Sequence, residues 1–268
     1  MPTVKANGIT IEYEGHGSGA PLLLIAGIGY DRWMWHRMIP GLAEDFRVIA
    51  FDNRGVGGSD KPPGPYTAEL LADDAAALLE ALGVEKAAIY GHSMGGFIAQ
   101  ALVLEHGQQV DKLILSATNF GGSRHIPSTP EAWRVLTDTG GDPIERLRRG
   151  IAVSTASGFS ENHPELVEEW IGYRVAHPVQ PAAYQAQLAI GLALVSDEAS
   201  FDHKLHHIEA PTLILFGEHD EVVPPGNAAL LAEQIPNSTI AILPGVGHFY
   251  PLEAPDAAVS AVARFLQS

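Results

Sequence analysis

Apolar residues along this chain fall into two kinds of run. Some are short, nearly continuous and bounded by Gly, Pro, Asn or Asp; others are longer and recur at helical spacing. Pro21–Ala26 (Pro-Leu-Leu-Leu-Ile-Ala) reads as a fully buried strand and Ile9–Tyr13 as an opening one. Arg47–Asp52, Lys86–Tyr90, Lys112–Ser116, Pro211–Phe216 and Thr239–Leu243 have the same texture. Between them, Leu70, Leu71, Ala75, Leu78, Leu79 and Leu82 share one stripe, which predicts a helix over Thr67–Leu82 that Gly83 stops. Helices are also predicted over Gly95–His106 and from about Asp256 to Leu266. Strands alternating with helices in this way predict an α/β architecture.

The texture changes at Gly121 and Gly122. From there to about Ser200 the strands disappear and the pattern becomes helical and amphipathic, with Trp133, Trp170, Tyr173 and Tyr184 spread along it. A helical block inserted between strands of a parallel sheet reads as a cap over the carboxyl edge of the sheet, where ligands bind in open α/β proteins. The expected division is a core of residues 1–121 and 201–268 with a cap of residues 122–200. No internal repeat or low-complexity segment interrupts it.

Composition narrows the function classes. A chain of 268 residues, 46% hydrophobic and 18% charged, can bury one large core. It has no cysteine, which removes disulfides, thiol catalysis and Cys-ligated metals. A net charge of −16 with no basic stripe argues against a nucleic-acid partner. No stretch of 18 apolar residues and no leader-like N-terminal run occurs, so no membrane partner and a cytoplasmic location are expected. Composition does not give the oligomeric state.

The chemistry is concentrated in Gly91-His-Ser93-Met-Gly95, a G-x-S-x-G pentapeptide between a predicted strand and a predicted helix. A serine on so sharp a turn needs small neighbours, and the following helix aims free N–H groups at charge developing on a substrate. The hydroxyl needs a base held by a third group. Leu213-Ile-Leu-Phe-Gly-Glu-His-Asp220 ends one strand with a carboxylate, and Thr239-Ile-Ala-Ile-Leu-Pro-Gly-Val-Gly-His248 ends the next with a histidine. Residues 117–123 contain no Asp or Glu, so the acid is expected at Asp220 rather than after the earlier strand. Ser93, Asp220 and His248 are the predicted catalytic residues.

These segments, with Leu22–Gly29 and Asp52-Asn-Arg-Gly-Val-Gly-Gly-Ser-Asp60, resemble the α/β-hydrolase superfamily, in style the 3-oxoadipate enol-lactonase, haloperoxidase and small-esterase branch. The resemblance implies a mostly parallel eight-stranded sheet flanked by helices with an inserted helical cap. It implies Ser93 as nucleophile, Asp220 as acid, His248 as base, and oxyanion-hole N–H groups from Ile28 and Met94. It also implies a small-molecule ester or lactone substrate and no cofactor. Carbon–carbon bond hydrolases and cofactor-free perhydrolases share the triad and are the alternatives, with a non-catalytic ligand-binding protein on the same fold more remote. Many relatives carry His-Gly in the first loop where this chain has Ala26-Gly27; a backbone donor at Ile28 does not need that imidazole.

Other residues invite sharper readings than their setting supports. His92 reads as a packing or loop-anchoring residue, and His219 as a neighbour of Asp220 with a small share of the base role. His203, His206 and His207 with Asp202 read as a solvated connector, and no metal site is expected. Gly55-Val-Gly-Gly58 lacks the spacing and following helix of a dinucleotide loop and reads as a brace near the active-site mouth. Trp33, Trp133 and Trp170 are candidate substrate-binding residues, along with Trp35 and Tyr184. Arg32, Arg124 and Arg134 are the candidate cations for a substrate carboxylate.

Overall fold

A computed structural model describes residues 1–268. Eight strands form one sheet in the order β1-β2-β4-β3-β5-β6-β7-β8. These are β1 (Thr3–Ala6), β2 (Ile9–His16), β3 (Ala20–Ile25), β4 (Phe46–Phe51), β5 (Ala87–His92), β6 (Val110–Ser116), β7 (Thr212–Gly217) and β8 (Ser238–Leu243). β1 and β2 are antiparallel to their neighbours, and from β4 to β8 every pairing is parallel.

The periodicity reading finds seven of these strands and not β1. Thr3–Ala6 is short and mostly exposed, so no apolar run marks it. Its hairpin to β2 turns on Asn7 and Gly8, both with positive φ (+44° and +75°), the Asn-Gly pair that two-residue hairpins favour.

Parallel strands are buried on both faces, which is why their sequences are continuous apolar runs. In β3, Leu22 and Leu24 pack on one side, with Leu42 of α1 (Ile39–Leu42), Ala258 and Val262; Leu23 and Ile25 pack on the other, with α2 (Ala68–Ala81) and α3 (Met94–Glu105). Thr67 caps α2 by accepting the Leu70 N–H at 3.1 Å, and Gly83, at φ +66°, follows its C-cap residue Leu82. No helix is long and apolar enough to cross a membrane.

Between β6 and β7 the chain makes five helices: α4 (Pro130–Thr137), α5 (Pro143–Ser154), α6 (Phe159–Asn162), α7 (Pro164–Ala176) and α8 (Pro181–Ala193). Gly121 and Gly122, with φ of +78° and +67°, turn the chain out of the sheet. α9 (Gly226–Gln234), α10 (Tyr250–Glu253) and α11 (Pro255–Leu266) complete the core.

The strand order fixes where a ligand can sit. From β3 the chain moves one way to β4 and later returns to the other side as β5. The loops after β3 and β5 therefore diverge and leave a crevice at the carboxyl edge. Ile28 and Ser93 lie on those two loops.

Candidate active site

Ser93 joins β5 to α3 at φ +56° and ψ −119°, a conformation that L-residues avoid and that costs of order 1–3 kcal/mol. The turn survives because its neighbours have no side chains. A Cβ at Gly91 would strike the Gly95 carbonyl, one at Gly95 the Ile25 carbonyl of β3, and one at Gly96 the side chain of Thr118. The Ser93 N–H donates to the Ser116 carbonyl at 2.9 Å and the Gly96 N–H to the Ser93 carbonyl at 2.8 Å. The strained residue is thus tied to β6 on one side and to the first turn of α3 on the other.

Asp220 lies just beyond β7. Its Oδ1 accepts the N–H groups of Val222 and Val223 at 2.9 and 2.7 Å, and its Oδ2 is 2.8 Å from His248 Nδ1. Both side chains are buried. A carboxylate facing Nδ1 accepts the ring proton there, leaving Nε2 as the nitrogen able to take a proton. His219 is exposed and 3.8 Å from Glu218, apart from this pair.

Ser93, His248, Gly27 and Ile28 line one cavity of about 580 Å³. The Ile28 N–H has no acceptor within the protein. Met94, the first residue of α3, carries one of the N–H groups that a helix cannot satisfy internally.

Beneath the pair lies a buried polar column. His92 is fully buried, its ring 5.0 Å from that of His248, and its Nδ1 is 2.7 Å from Ser116 Oγ. Ser116 Oγ bonds the Tyr250 hydroxyl, which is 3.0 Å from that of Tyr90. Burial, and then the neighbouring His248, hold the His92 imidazole well below its ordinary range; burial pushes the Tyr90 phenol up to about 12. His92 is therefore a neutral packing group, which agrees with the sequence reading.

The roof of the cavity comes from the five-helix block. Arg146, Leu147, Gly150, Ile151 and Ser154 line it from one face of α5, and Trp170 and Arg174, one turn apart, from α7. Trp170 is buried, edge-on to Tyr30 and Trp33 at 5.7 and 5.0 Å. Tyr184 and Gln185 of α8 and Phe249 of the core also line the space.

Two tryptophan expectations are corrected. Trp133 is 62% exposed; Val135, from the opposite side of α4, and Leu136 reach the cavity instead. Trp33 is stacked between Tyr173 and His36, each at 3.9 Å, and lines a separate cleft of about 490 Å³ with Glu14, His16 and Arg32. Trp35 is fully buried against Tyr90.

The candidate cations are corrected as well. Arg32 is neutralised by Asp52 and Glu12, both at 2.5 Å, Arg124 by Asp202 and Glu233, and Arg134 by Glu131. None of the three lines the cavity, whereas Arg146 and Arg174 do. His203, His206 and His207 are exposed on the approach to β7. The Asp52–Asp60 loop is braced by the buried Asp52, which accepts N–H groups of Arg32 and Gly58 at 2.9 and 2.7 Å, and by Arg54 paired with Asp74.

Sequence reading misses Arg146, Arg174 and Gln187. Gln187 is fully buried in α8, accepting the Gly29 N–H at 2.8 Å and donating to the Arg54 carbonyl at 2.9 Å. The α5 face is readable at i, i+4 and i+8 spacing once α5 is placed. Nothing in the sequence signals Gln187.

Comparison with known proteins finds the same fold. A 3-oxoadipate enol-lactonase of Acinetobacter baylyi (strain ATCC 33305 / BD413 / ADP1) is 28% identical over 98% of this chain and 96% of its own. A thermophilic esterase from Thermogutta terrifontis superposes with a TM-score of 0.82 at 30% identity, covering 100% of this chain and 98% of that one. A meta-cleavage product hydrolase from Pseudomonas fluorescens IP01 superposes at 0.84 with 26% identity, covering 100% and 97%. The model of the alpha/beta hydrolase fold matches residues 20–255, and with eight strands in this order and a serine elbow at the switch point, the chain belongs to the α/β-hydrolase family.

Proposed function

We propose that the protein is a serine hydrolase that cleaves a carboxylic ester or lactone through an acyl-enzyme on Ser93. The observation that carries this reading is the cavity itself. Ser93 and His248 share its wall, His248 Nδ1 is 2.8 Å from a buried carboxylate, and the Ile28 N–H beside them has no acceptor within the protein. His248 Nε2 takes the Ser93 proton as Oγ attacks the carbonyl, and the Ile28 and Met94 N–H groups stabilise the tetrahedral oxyanion. The imidazolium then protonates the leaving alkoxide, and water repeats the cycle on the acyl-enzyme. Asp220 holds the tautomer and stabilises the imidazolium. Every step is carried by the chain's own groups. The likeness to an esterase and an enol-lactonase supports the substrate class.

The test is mass spectrometry of the protein quenched during turnover of a slow nitrophenyl ester. An acyl adduct on the peptide carrying Ser93 is expected, with Ser93→Ala costing about 10⁶ in turnover, the loss in the subtilisin series. Efficient cleavage of a carbon–carbon substrate, with no adduct from any ester or lactone, would replace this reading with that of a carbon–carbon bond hydrolase.

A further inference from the structure

The ion pairs of this acidic protein leave a pattern that the ester reading does not use. Seven arginines have a carboxylate within 4.0 Å: Arg32, Arg37, Arg54, Arg124, Arg134, Arg148 and Arg149. Of the four others, Arg47 and Arg264 are exposed to solvent. The remaining two, Arg146 and Arg174, are half-buried and both line the Ser93 cavity. In a chain of net charge −16, acids outnumber bases two to one, so a half-buried cation without a carboxylate is the unusual outcome.

The cavity wall pairs no carboxylate with either arginine, although Arg146 adds to the field that lowers the Asp138 carboxyl. Its one carboxylate residue, Asp138, already accepts from Arg149 and from the Gly140 N–H, both at 2.8 Å. Arg146 uses Nη1 on the carbonyls of Gly140 and Gly141, at 3.4 and 2.8 Å. Arg174 uses Nη1 on the Gly29 carbonyl, with its guanidinium 4.6 Å over the Tyr30 ring. Each arginine thereby holds its position through one nitrogen and keeps its Nε–Nη2 edge without a protein acceptor. Such an edge presents two parallel N–H groups, the match for the two oxygens of a carboxylate.

We infer that Arg146 and Arg174 form an anion subsite in the roof of the cavity, and that the physiological substrate is an ester or lactone that also carries a carboxylate. The substrate class rests on the proposed acyl transfer at Ser93; the anion subsite does not. Two arginines against one aspartate give the cavity lining a net positive formal charge, opposite in sign to that of the whole chain, which would favour an anionic substrate there.

Binding is measured by calorimetry on full-length Ser93→Ala protein, with monomethyl glutarate as the anionic probe and dimethyl glutarate as its neutral counterpart. The monoanion is expected to bind about tenfold more tightly, as for a charge-assisted pair. That advantage should vanish in Arg146→Gln/Arg174→Gln and return in part in the corresponding double lysine variant. Should the double variant fail to fold, Arg146→Gln alone carries the test, because Arg146 is bonded only to two loop carbonyls. An unchanged ratio in the glutamine variants, or preference for the neutral diester in their parent, overturns the subsite. Inorganic phosphate displacing the monoanion more strongly than acetate does would overturn the carboxylate assignment. Because binding is read without turnover, a positive result beside a wild-type protein inert to esters would condemn the ester reading and leave the subsite standing.

Discussion

The sheet core and the five-helix block meet the same solvent in opposite ways. Strands β3, β5 and β7 bury almost every side chain they carry, and packing comes from both faces. Of the ten large apolar side chains that remain exposed, seven (Ile126, Trp133, Leu136, Ile144, Val175, Leu192 and Val195) lie between residues 122 and 200. The core therefore owes its shape to continuous burial. The block packs Ile151, Trp170, Ile171, Ile190 and Leu194 against the core and is also held at discrete polar joints: Tyr173 to Asp31 at 2.8 Å, Arg174 to the Gly29 carbonyl, and Gln187 to Gly29 and Arg54. Three of these four bonds grip the loop after β3. The lesson is a division of labour, in which the core carries most of the continuous burial and the block grips the loop after β3 and roofs the cavity.

The largest effect that would break this comparison is on stability. Leu23 is fully buried at the centre of the sheet, and Leu23→Ala is expected to cost about 2–5 kcal/mol through lost transfer energy and a cavity that rigid strands cannot close. Trp133→Ala, at 62% exposure on α4, should stay within about 0.5 kcal/mol despite removing a larger side chain. Urea unfolding of the two variants decides it. Comparable losses would mean that the block is as deeply integrated as the sheet.

A smaller effect sharpens the second half of the comparison. Gln187→Met keeps the volume but strands the Gly29 N–H and the Arg54 carbonyl, next to the Ile28 donor of the proposed oxyanion hole. Losing an oxyanion donor outright costs 10²–10³ in turnover in subtilisin, so loosening its support should cost roughly tenfold in kcat. KM should change little, and affinity for a tetrahedral boronate should fall in step with kcat. If kcat is unchanged while the thermal midpoint falls, Gln187 is only a structural tie.

This contrast also explains what could be read in the sequence. Strands buried on both faces leave long apolar runs, so β3 to β7 were legible; the edge strand β8 keeps an apolar run even though Ile240 and Ile242 are exposed, while β1, half-exposed at the other edge, left only Asn7-Gly8. Ser93, Asp220 and His248 were legible because an elbow needs glycines and each residue follows a strand. The cavity roof was not. Whether Trp133 or Val135 faces inward depends on how α4 is rotated, and whether an arginine is paired depends on residues far away in the chain, such as Asp52 for Arg32 and Asp202 for Arg124. Helical periodicity supplies neither fact.

The smallest effect lies at the base of the site, where core chemistry reaches the cavity floor. His92 is buried and neutral, with its imidazole held well below its ordinary value by burial and then by His248. In the unfolded chain a histidine takes up a proton near pH 6.5. Below that value the unfolded state binds a proton that the folded state refuses, so stability is fully present above about pH 6.5 and is lost as pH falls beneath it. From pH 7.5 to pH 5.5 the loss attributable to this one residue should be ~1 kcal/mol. The quantity to measure is a difference: wild type against His92→Asn, each unfolded in urea at both values. The variant is expected to be less stable at pH 7.5, because Asn fills less of the space against Trp35, Tyr250 and His248. Its deficit should nonetheless shrink at pH 5.5, where wild type has lost the contribution and the variant never had it. A deficit that is constant or grows toward pH 5.5 would mean that His92 is protonated in the folded protein and that the floor of the site is charged.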